Sequence, residues 1–206
     1  MSSVVTLKGQ GIGIVTDRRS EFIGCANPVK NETEALEFIK SVKRKHSDAR
    51  HNVWAYALNG GVLKRYSDDG EPQGSAGKPV LDVIEKNCLD GVVIVVTRYF
   101  GGILLGTGGL VRAYSGAAAA AVANAGTVTL TECRNLEVRL SYNDYARIGG
   151  DRLISDCCVT STDFGVCVLL VVSVKLDLVP SVKSRFIELT SGRAEITEGD
   201  IVLAEC

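Results

Sequence analysis

The sequence predicts an α+β protein of two domains, and three observations lead to this class. The 206 residues are 46% hydrophobic, which is enough to fill one large core or two small ones. The first part of the chain mixes strand patterns of period two with helical patterns. From about residue 136 the order becomes strand, helix, strand, strand, helix, strand, a self-contained unit of small-domain size. We therefore expect one domain at residues 1–130 and another at 131–206.

Short apolar runs bounded by turn residues predict the strands of the first domain. They lie at residues 4–7, 12–15, 21–29, 53–58, 62–66 and 92–96. Asn59-Gly60-Gly61 joins the fourth and fifth of these runs and is a hairpin signal. The sixth run is wholly apolar, so we expect a buried strand there.

Three helices are predicted in the first domain. Asn31 and Glu34 have the spacing of a capping box and precede apolar residues at helical spacing, so the first helix should run to about residue 46. Lys78-Pro79 lies near the first turn of the second helix, where proline is tolerated. The third helix should run from about 108 to 125. Its small residues permit close packing against a sheet, and they are Gly109, Ala113, Gly116, Ala117 and Ala120.

In the second domain, strands are predicted at residues 136–142, 157–163, 166–175 and 194–203, with helices at 143–154 and 179–189. This βαββαβ order is that of a ferredoxin-like sandwich.

Composition excludes several classes of protein. No apolar stretch approaches the ~20 residues of a membrane helix, and the first residues lack a signal-peptide pattern, so we expect a cytoplasmic protein. Seven cysteines without a CxxC pair predict reduced core thiols, and no metal or cofactor is expected. Residues 1–132 carry 15 Lys and Arg against 13 Asp and Glu, whereas residues 133–206 carry 8 against 11. A polyanionic partner would therefore favour the first domain, although the field is weak.

Four segments of the first domain closely resemble the signature of the IMPACT family. They are SEFIGCANPV (20–29), ARHNVWAY (49–56), SDDGEPQGSAGKP (67–79) and TRYFGGILLGTGGLVRAY (97–114). Together with the βαββαβ tail they indicate the bacterial YigZ-type members. The resemblance implies a first domain of the fold shared by domain IV of elongation factor G, some ribosomal proteins and the GHMP kinases. It implies that the tail is similar to domain V of elongation factor G, and it implies a role connected with translation.

The glycine-rich segment 101–109 precedes a helix, where free N–H groups and the helix dipole attract anions. Its spacing fits neither the dinucleotide fingerprint nor a Walker A loop, so phosphate contact and purely structural turns both stay open. Asp68, Asp69 and Glu71 could hold Mg²⁺, pair with Arg98 or Arg112, or form an ordinary turn. The candidate ligand-binding or nucleic-acid-binding residues are His51, Asp68, Asp69, Glu71, Lys78, Arg98, Tyr99, Gly101, Gly102, Gly106, Thr107, Gly108, Gly109 and Arg112.

Three functions follow as hypotheses. In the first, the protein is a translation-associated regulatory protein that contacts RNA, the ribosome or a translation-related protein through Arg98, Lys78, Arg112 and the glycine-rich segment. In the second, it is a GHMP-kinase-like phosphotransferase with Asp68 or Asp69 as Mg²⁺ ligand or base. In the third, it is a protein-interaction module in which the glycines serve only the fold. The sequence leaves open whether the protein is an enzyme and how many copies assemble.

Overall fold

The computed structural model describes residues 3–149 and 157–205. The protein is of the α+β class and divides into two compact units, Val4–Val128 and the residues from Thr129 onward together with Ser3. The N-terminal unit is built from β1 (Ser3–Leu7), β2 (Gly11–Asp17), β3 (Ser20–Pro28), α1 (Glu32–Lys45), β4 (His51–Leu58), β5 (Leu63–Ser67), α2 (Gly77–Lys86), β6 (Val92–Tyr99) and α3 (Gly106–Ala125).

The N-terminal unit is organised around one antiparallel sheet of strand order β2-β3-β6-β4-β5. β6 lies at its centre, paired with β3 on one side and β4 on the other. Every residue from Val92 to Thr97 is fully buried. The wholly apolar run that predicted a buried strand is therefore this central strand.

Helices cover both faces of this sheet. Val92, Ile94 and Val96 pack in one core cluster with residues of α2 and α3. Val93 and Val95 pack in a second cluster with residues of α1. Because successive side chains of a strand point to opposite faces, residues of even number on β6 face α2 and α3, and residues of odd number face α1.

Glycines in the sheet allow α3 to approach it closely. A Cβ atom added to Gly13 would lie 2.4 Å from the Ala121 nitrogen, and one added to Gly24 would lie 2.4 Å from the Ala117 oxygen. The alanine face of α3 was predicted from its own sequence. The matching glycines on β2 and β3 show why that face is needed, since helix backbone and sheet backbone meet without side chains between them.

The C-terminal unit contains β7 (Thr127–Leu140), α4 (Tyr142–Ile148), β8 (Cys158–Phe164), β9 (Val168–Lys175), α5 (Val179–Leu189) and β10 (Glu195–Ala204). β10 pairs with β7, β7 with β9 and β9 with β8, all antiparallel. Leu136, Val172 and Phe186 are among the residues of its separate core. Asp144 caps α4 together with Ser141 and pairs with Arg193, whose Nη2 lies 2.6 Å from Asp144 Oδ1.

Several boundaries differ from those predicted. β7 begins at Thr127, well before the predicted residue 136, because the polar residues at its start kept it from being recognised as a strand. The helix predicted over 143–154 is observed as α4 to Ile148, and residues 150–154 lie outside the described residues. Cys25 and Cys133 are buried as expected, whereas Cys88 and Cys167 are exposed. Cys206 is not among the described residues. No helix in the described part of the chain is long and apolar enough to span a bilayer.

Gly24→Ala should destabilise the N-terminal unit by about 1–3 kcal/mol, since its methyl group would overlap the Ala117 backbone and force α3 off the sheet. Chemical denaturation measures this change. Gly9→Ala is the matched control, because a Cβ atom there would meet nothing within 4 Å. Equal loss in both variants would contradict the close packing described above.

The Asp144–Arg193 pair should make the stability of the C-terminal unit depend on acid pH. The Arg193 hydrogen bond, then the one from Ser141, lowers the pKa of Asp144 from 3.8 to about 2. A lowered pKa in the folded state stabilises fully above the unfolded value, and this contribution is lost as the pH falls from about 4 to about 2. Wild type and Asp144→Asn should thus differ in unfolding midpoint at pH 6 and converge near pH 2.

Candidate functional site

The end of β6 delivers two adjacent candidate residues to opposite faces of the sheet. Arg98 has an even number and enters the α2–α3 side, while Tyr99 enters the α1 side. The sequence places both on one binding surface. In the structure their side chains enter opposite faces, although both residues line the smaller of the two clefts described below.

Arg98 lies in an internal ion pair and not on an open surface. Its side chain is 7% exposed, and its Nη1 lies 2.7 Å from Glu71 Oε1. The Tyr114 hydroxyl donates to the same oxygen at 2.6 Å. The guanidinium also lies over the rings of Phe22 and Phe100, at 5.5 and 5.4 Å from their centroids. The expectation of an exposed Arg98 is therefore wrong, because Glu71 and aromatic rings enclose it.

Burial is the main reason that the Tyr114 pKa is raised, and the hydrogen bond to Glu71 adds to it. Tyr114 thus stays protonated and remains a donor. Phe22 packs edge-on against the Tyr114 ring, with centroids 5.0 Å apart. The buried cluster of Arg98, Glu71 and Tyr114 thus connects three parts of the fold: β6, α3 and the segment that follows β5.

The two neighbouring carboxylates are engaged in the fold as well. Asp68 accepts hydrogen bonds from the backbone N–H groups of Gly74, Ala76 and Gly77 at 2.8–3.1 Å. It thereby caps α2, whose N-cap residue is an alanine. No group of three or more His, Cys, Asp or Glu residues within 3–149 and 157–205 could hold a metal ion. Of the alternatives for this segment, the structure has the turn and the ion pair of Glu71 with Arg98, and it adds an ion pair of Asp69 with Lys43.

Asp69 ties this segment to α1 and β4. Its Oδ1 lies 2.6 Å from Lys43 Nζ, and its Oδ2 accepts from the Asn52 N–H at 2.6 Å. Its carbonyl oxygen lies 2.8 Å from His51 Nδ1. A carbonyl oxygen only accepts, so Nδ1 carries the proton of that bond. His51 Nε2 makes no hydrogen bond with any residue that the structure describes, and His51 is half-buried.

A cleft of about 470 Å³ opens where α3 begins. Its lining residues come from β4, the carboxylate segment, the end of β6 and the start of α3, namely Arg50, His51, Glu71, Pro72, Arg98, Phe100, Leu104, Leu105, Gly106, Thr107 and Leu110. Phe100 is 49% exposed and Leu104 is 81% exposed. The cleft therefore combines an apolar rim with charged and backbone groups deeper inside.

The first turn of α3 presents its backbone N–H groups on this side. Leu105, the N-cap residue, makes no side-chain capping bond among the described residues. Gly106, Thr107 and Gly108 are exposed, and the positive φ of +69° at Gly106 suits glycine. Free N–H groups at a helix start attract anions.

A smaller cleft of about 260 Å³ lies beside the first and shares Arg50, Arg98 and Phe100 with it. Its other lining residues are Asp48, Ala49 and Tyr99. The Tyr99 hydroxyl donates to Asp48 Oδ1 and lies 3.0 Å from His46 Nδ1. Partial burial, then the bond to Asp48, raises the pKa of Tyr99.

Two exposed arginines lie near the clefts. Arg50 lines both of them, and the Arg112 Nη1 lies beside Gly108 in the first turn of α3. Neither side chain forms an ion pair with the described residues. Arg50 is not among the predicted site residues, and its position directly before β4, which pairs with β6 in the sheet, is the signal that could have found it.

Lys78 lies elsewhere. Its ammonium pairs with Asp82 at 2.6 Å and Glu85 at 3.2 Å along α2, and these hydrogen bonds raise its pKa. It does not line either cleft. A ligand contact by Lys78 together with the glycine-rich segment stays a prediction, while in the structure Lys78 lies in the first turn of α2 and pairs with carboxylates of that helix.

The remaining glycines serve different purposes. A Cβ atom at Gly101 would lie 2.0 Å from the Arg19 backbone, so only glycine fits that crossing of chains. Gly102 is exposed with a φ of +85°, and Gly109 is buried against the Leu105 side chain. Among the predicted glycines, Gly106 and Gly108 are the ones at the open start of α3.

Comparison with known proteins places this site in context. The family described as "Impact N-terminal domain" matches residues 18–122. The IMPACT family member YvyE of Bacillus subtilis is 32% identical over 206 residues, covering 100% of this chain and 95% of that protein. The IMPACT family member YigZ of Escherichia coli is 32% identical over 184 residues, covering 87% and 89%.

A solved structure described as the crystal structure of an hypothetical protein is also similar. It is 29% identical, with a TM-score of 0.63, and the match covers 97% of this chain and 98% of that one. The similarity spans residues of both units.

Asp68→Ala should destabilise the N-terminal unit by about 1–3 kcal/mol, because three backbone N–H groups lose their acceptor at the start of α2. Denaturant unfolding measures it. Asp82→Ala removes an exposed carboxylate on the same helix and should change stability by less than about 0.5 kcal/mol. A loss for Asp68→Ala no larger than for the control would show that the capping is not needed.

Proposed function

The chain belongs to the IMPACT family, in its bacterial YigZ-type form, and from this membership we propose a translation-associated regulatory protein that contacts RNA or the ribosome. The contact is made by the N-terminal unit. Such a role places the protein in the cytoplasm. The division of the chain between Val128 and Thr129 supports the proposed domains, 1–130 and 131–206.

The observation that most supports RNA contact is the pair of adjacent clefts, of which the larger lies at the start of α3. The exposed N–H groups of the first helical turn are suited to a phosphate. Arg50, which lines both clefts, and Arg112, which lies beside Gly108, are exposed, and a guanidinium can donate two hydrogen bonds to phosphate oxygens. The exposed Phe100 offers a ring against which a base can stack.

The arrangement suits a single strand better than a duplex. The two clefts are adjacent and share Arg50 and Phe100, so successive nucleotides of one strand can enter them side by side. Aromatic stacking and phosphate contacts of this kind are the usual means of binding unpaired RNA. Because the net charge of the N-terminal unit is small, we expect the affinity for RNA to come from this local arrangement of groups and not from a broad basic surface.

The C-terminal unit has a separate part in this proposal. Its βαββαβ order and the pairings of β10 with β7, β7 with β9 and β9 with β8 support the ferredoxin-like assignment and its similarity to domain V of elongation factor G. The unit carries a net negative charge, which disfavours phosphate binding. We assign to it the docking of a translation-related protein or the orientation of the N-terminal unit.

The phosphotransferase alternative gains no support from the geometry. Asp68, Asp69 and Glu71 hold the α2 cap, the link to α1 and the Arg98 pair, so none is arranged with another to hold Mg²⁺. The protein-interaction alternative remains an outcome of the test below.

Arg50→Ala and Arg112→Ala should each weaken binding to single-stranded RNA or to ribosomes severalfold at about 150 mM salt. Each should also lower the slope of log affinity against log salt by about 0.7, as expected for one lost phosphate contact. Salt-dependent fluorescence anisotropy and ribosome sedimentation measure these effects. Arg65→Ala is the matched control, because that arginine is 62% exposed, pairs with Glu32 and lines neither cleft.

Absence of RNA or ribosome association near physiological salt in the wild-type protein would overturn the proposal. Capture from lysate with and without nuclease separates the remaining possibilities. A partner protein that persists after nuclease treatment, with no RNA bound, would favour the protein-interaction function.

A further inference from the structure

We infer that the larger cleft recognises the ribose of a ribonucleotide, with Glu71 Oε2 accepting a hydrogen bond from its 2′-hydroxyl group. This inference rests on the proposed RNA contact and states which chemical group the site reads. It follows from the hydrogen bonding of the Glu71 carboxylate, which lies almost entirely inside the fold.

Glu71 is a nearly buried acid with only one oxygen in use. Its side chain is 4% exposed. Oε1 accepts both available hydrogen bonds, from Arg98 and from Tyr114. Oε2 accepts none from the residues that the structure describes. Oε2 is not fully enclosed, because Arg98 Nε is the one described side-chain atom that is both buried and without a partner. An acceptor that is open to the cleft is a position for a ligand donor.

The neighbouring Arg98 shows the same incomplete pairing. Its Nε is buried and has no hydrogen-bond partner within the described ranges. Both groups belong to residues that line the larger cleft. Arg98 Nε is enclosed, so Glu71 Oε2 is the atom of this pair that a ligand in the cleft can reach to extend the network.

The carboxylate selects what can bind there. An ionised carboxylate only accepts hydrogen bonds, so its ligand must present O–H or N–H. Arg98 neutralises its charge, and a phosphate can therefore lie at the N–H groups of Gly106 and Thr107 in the same cleft. The sugar hydroxyl lies next to the phosphate along a nucleic-acid chain, whereas the base extends towards the rim formed by Phe100 and Leu104. A carboxylate that accepts from a ribose hydroxyl is an established solution in nucleotide-binding folds.

The oxygen is also fixed in place before binding. Tyr114 is fully buried on α3, and Arg98 extends from the central strand between two aromatic rings. Together they orient the Glu71 carboxylate without using Oε2. A preorganised acceptor loses little conformational entropy when the ligand arrives, which favours discrimination of one hydroxyl group.

The test compares three octamers of uridine with wild-type protein at fixed salt, by fluorescence anisotropy. One has ribose, one has 2′-deoxyribose and one has 2′-fluororibose, which keeps the sugar conformation of RNA but cannot donate. Uridine is chosen because its base has no exocyclic amino group that Glu71 could bind instead. The ribose octamer should bind about 3- to 10-fold more tightly than either analogue, which is the difference in affinity expected for one hydrogen bond.

Glu71→Gln should reduce this preference towards unity, because the amide can present N–H groups where Oε2 accepted. Thermal unfolding of each variant shows whether the fold persists. Asp82→Asn makes the same carboxylate-to-amide change at an exposed residue of α2 that lines neither cleft, and it should keep the preference. This control separates the loss of the Glu71 acceptor from the loss of one negative charge.

Equal affinity for the ribose and 2′-fluoro octamers would overturn the inference while leaving RNA contact intact. Failure of all three octamers to bind, and of ribosomes to associate, would overturn the proposed function and the inference with it. A preference for cytidine over uridine without a preference for ribose would assign Glu71 to a base amino group and also refute the inference.

Discussion

The ion pair between Arg98 and Glu71 is the interaction on which the architecture around the clefts depends. Removing two charges from water is costly, and their attraction compensates only when geometry and further hydrogen bonds are favourable. Here Tyr114 supplies one such bond, and the rings of Phe22 and Phe100 surround the guanidinium. Arg98 comes from β6, Glu71 from the segment that follows β5, and Tyr114 from α3. Their hydrogen bonds therefore fix where these three parts of the N-terminal unit meet.

That pairing is possible only because α3 approaches the sheet so closely. Gly13 and Gly24 let the helix backbone touch the strands, and the alanines of α3 leave no side chain in between. Tyr114 on the same helix is thereby brought within hydrogen-bond distance of Glu71. The long helix can then begin at the open side of the sheet with its N–H groups exposed, since its stability comes from the packed alanine face rather than from a cap.

Much of this could be predicted from the sequence, but not the partners of the polar residues. Periodicity predicted the elements, and the apolar run of β6 predicted a buried strand, because both depend on local patterns. Asp68, Glu71 and Lys78 were harder to interpret. Asp68 caps a helix that begins nine residues later, Glu71 meets an arginine 27 residues away, and Lys78 pairs along its own helix. Tertiary contacts decide such roles, and composition gives no measure of them.

Gly101 lies where the end of β6 crosses the backbone of Arg19, with no room for even a methyl group. Random mutagenesis at this position would recover glycine alone, whatever the protein binds, and a comparison of related sequences would show it as invariant. An invariant glycine at position 101 would therefore reflect steric exclusion and not ligand binding. Tolerance at Gly108, where an added methyl group would meet little besides the Arg112 side chain, is the more informative measure of selection for a ligand.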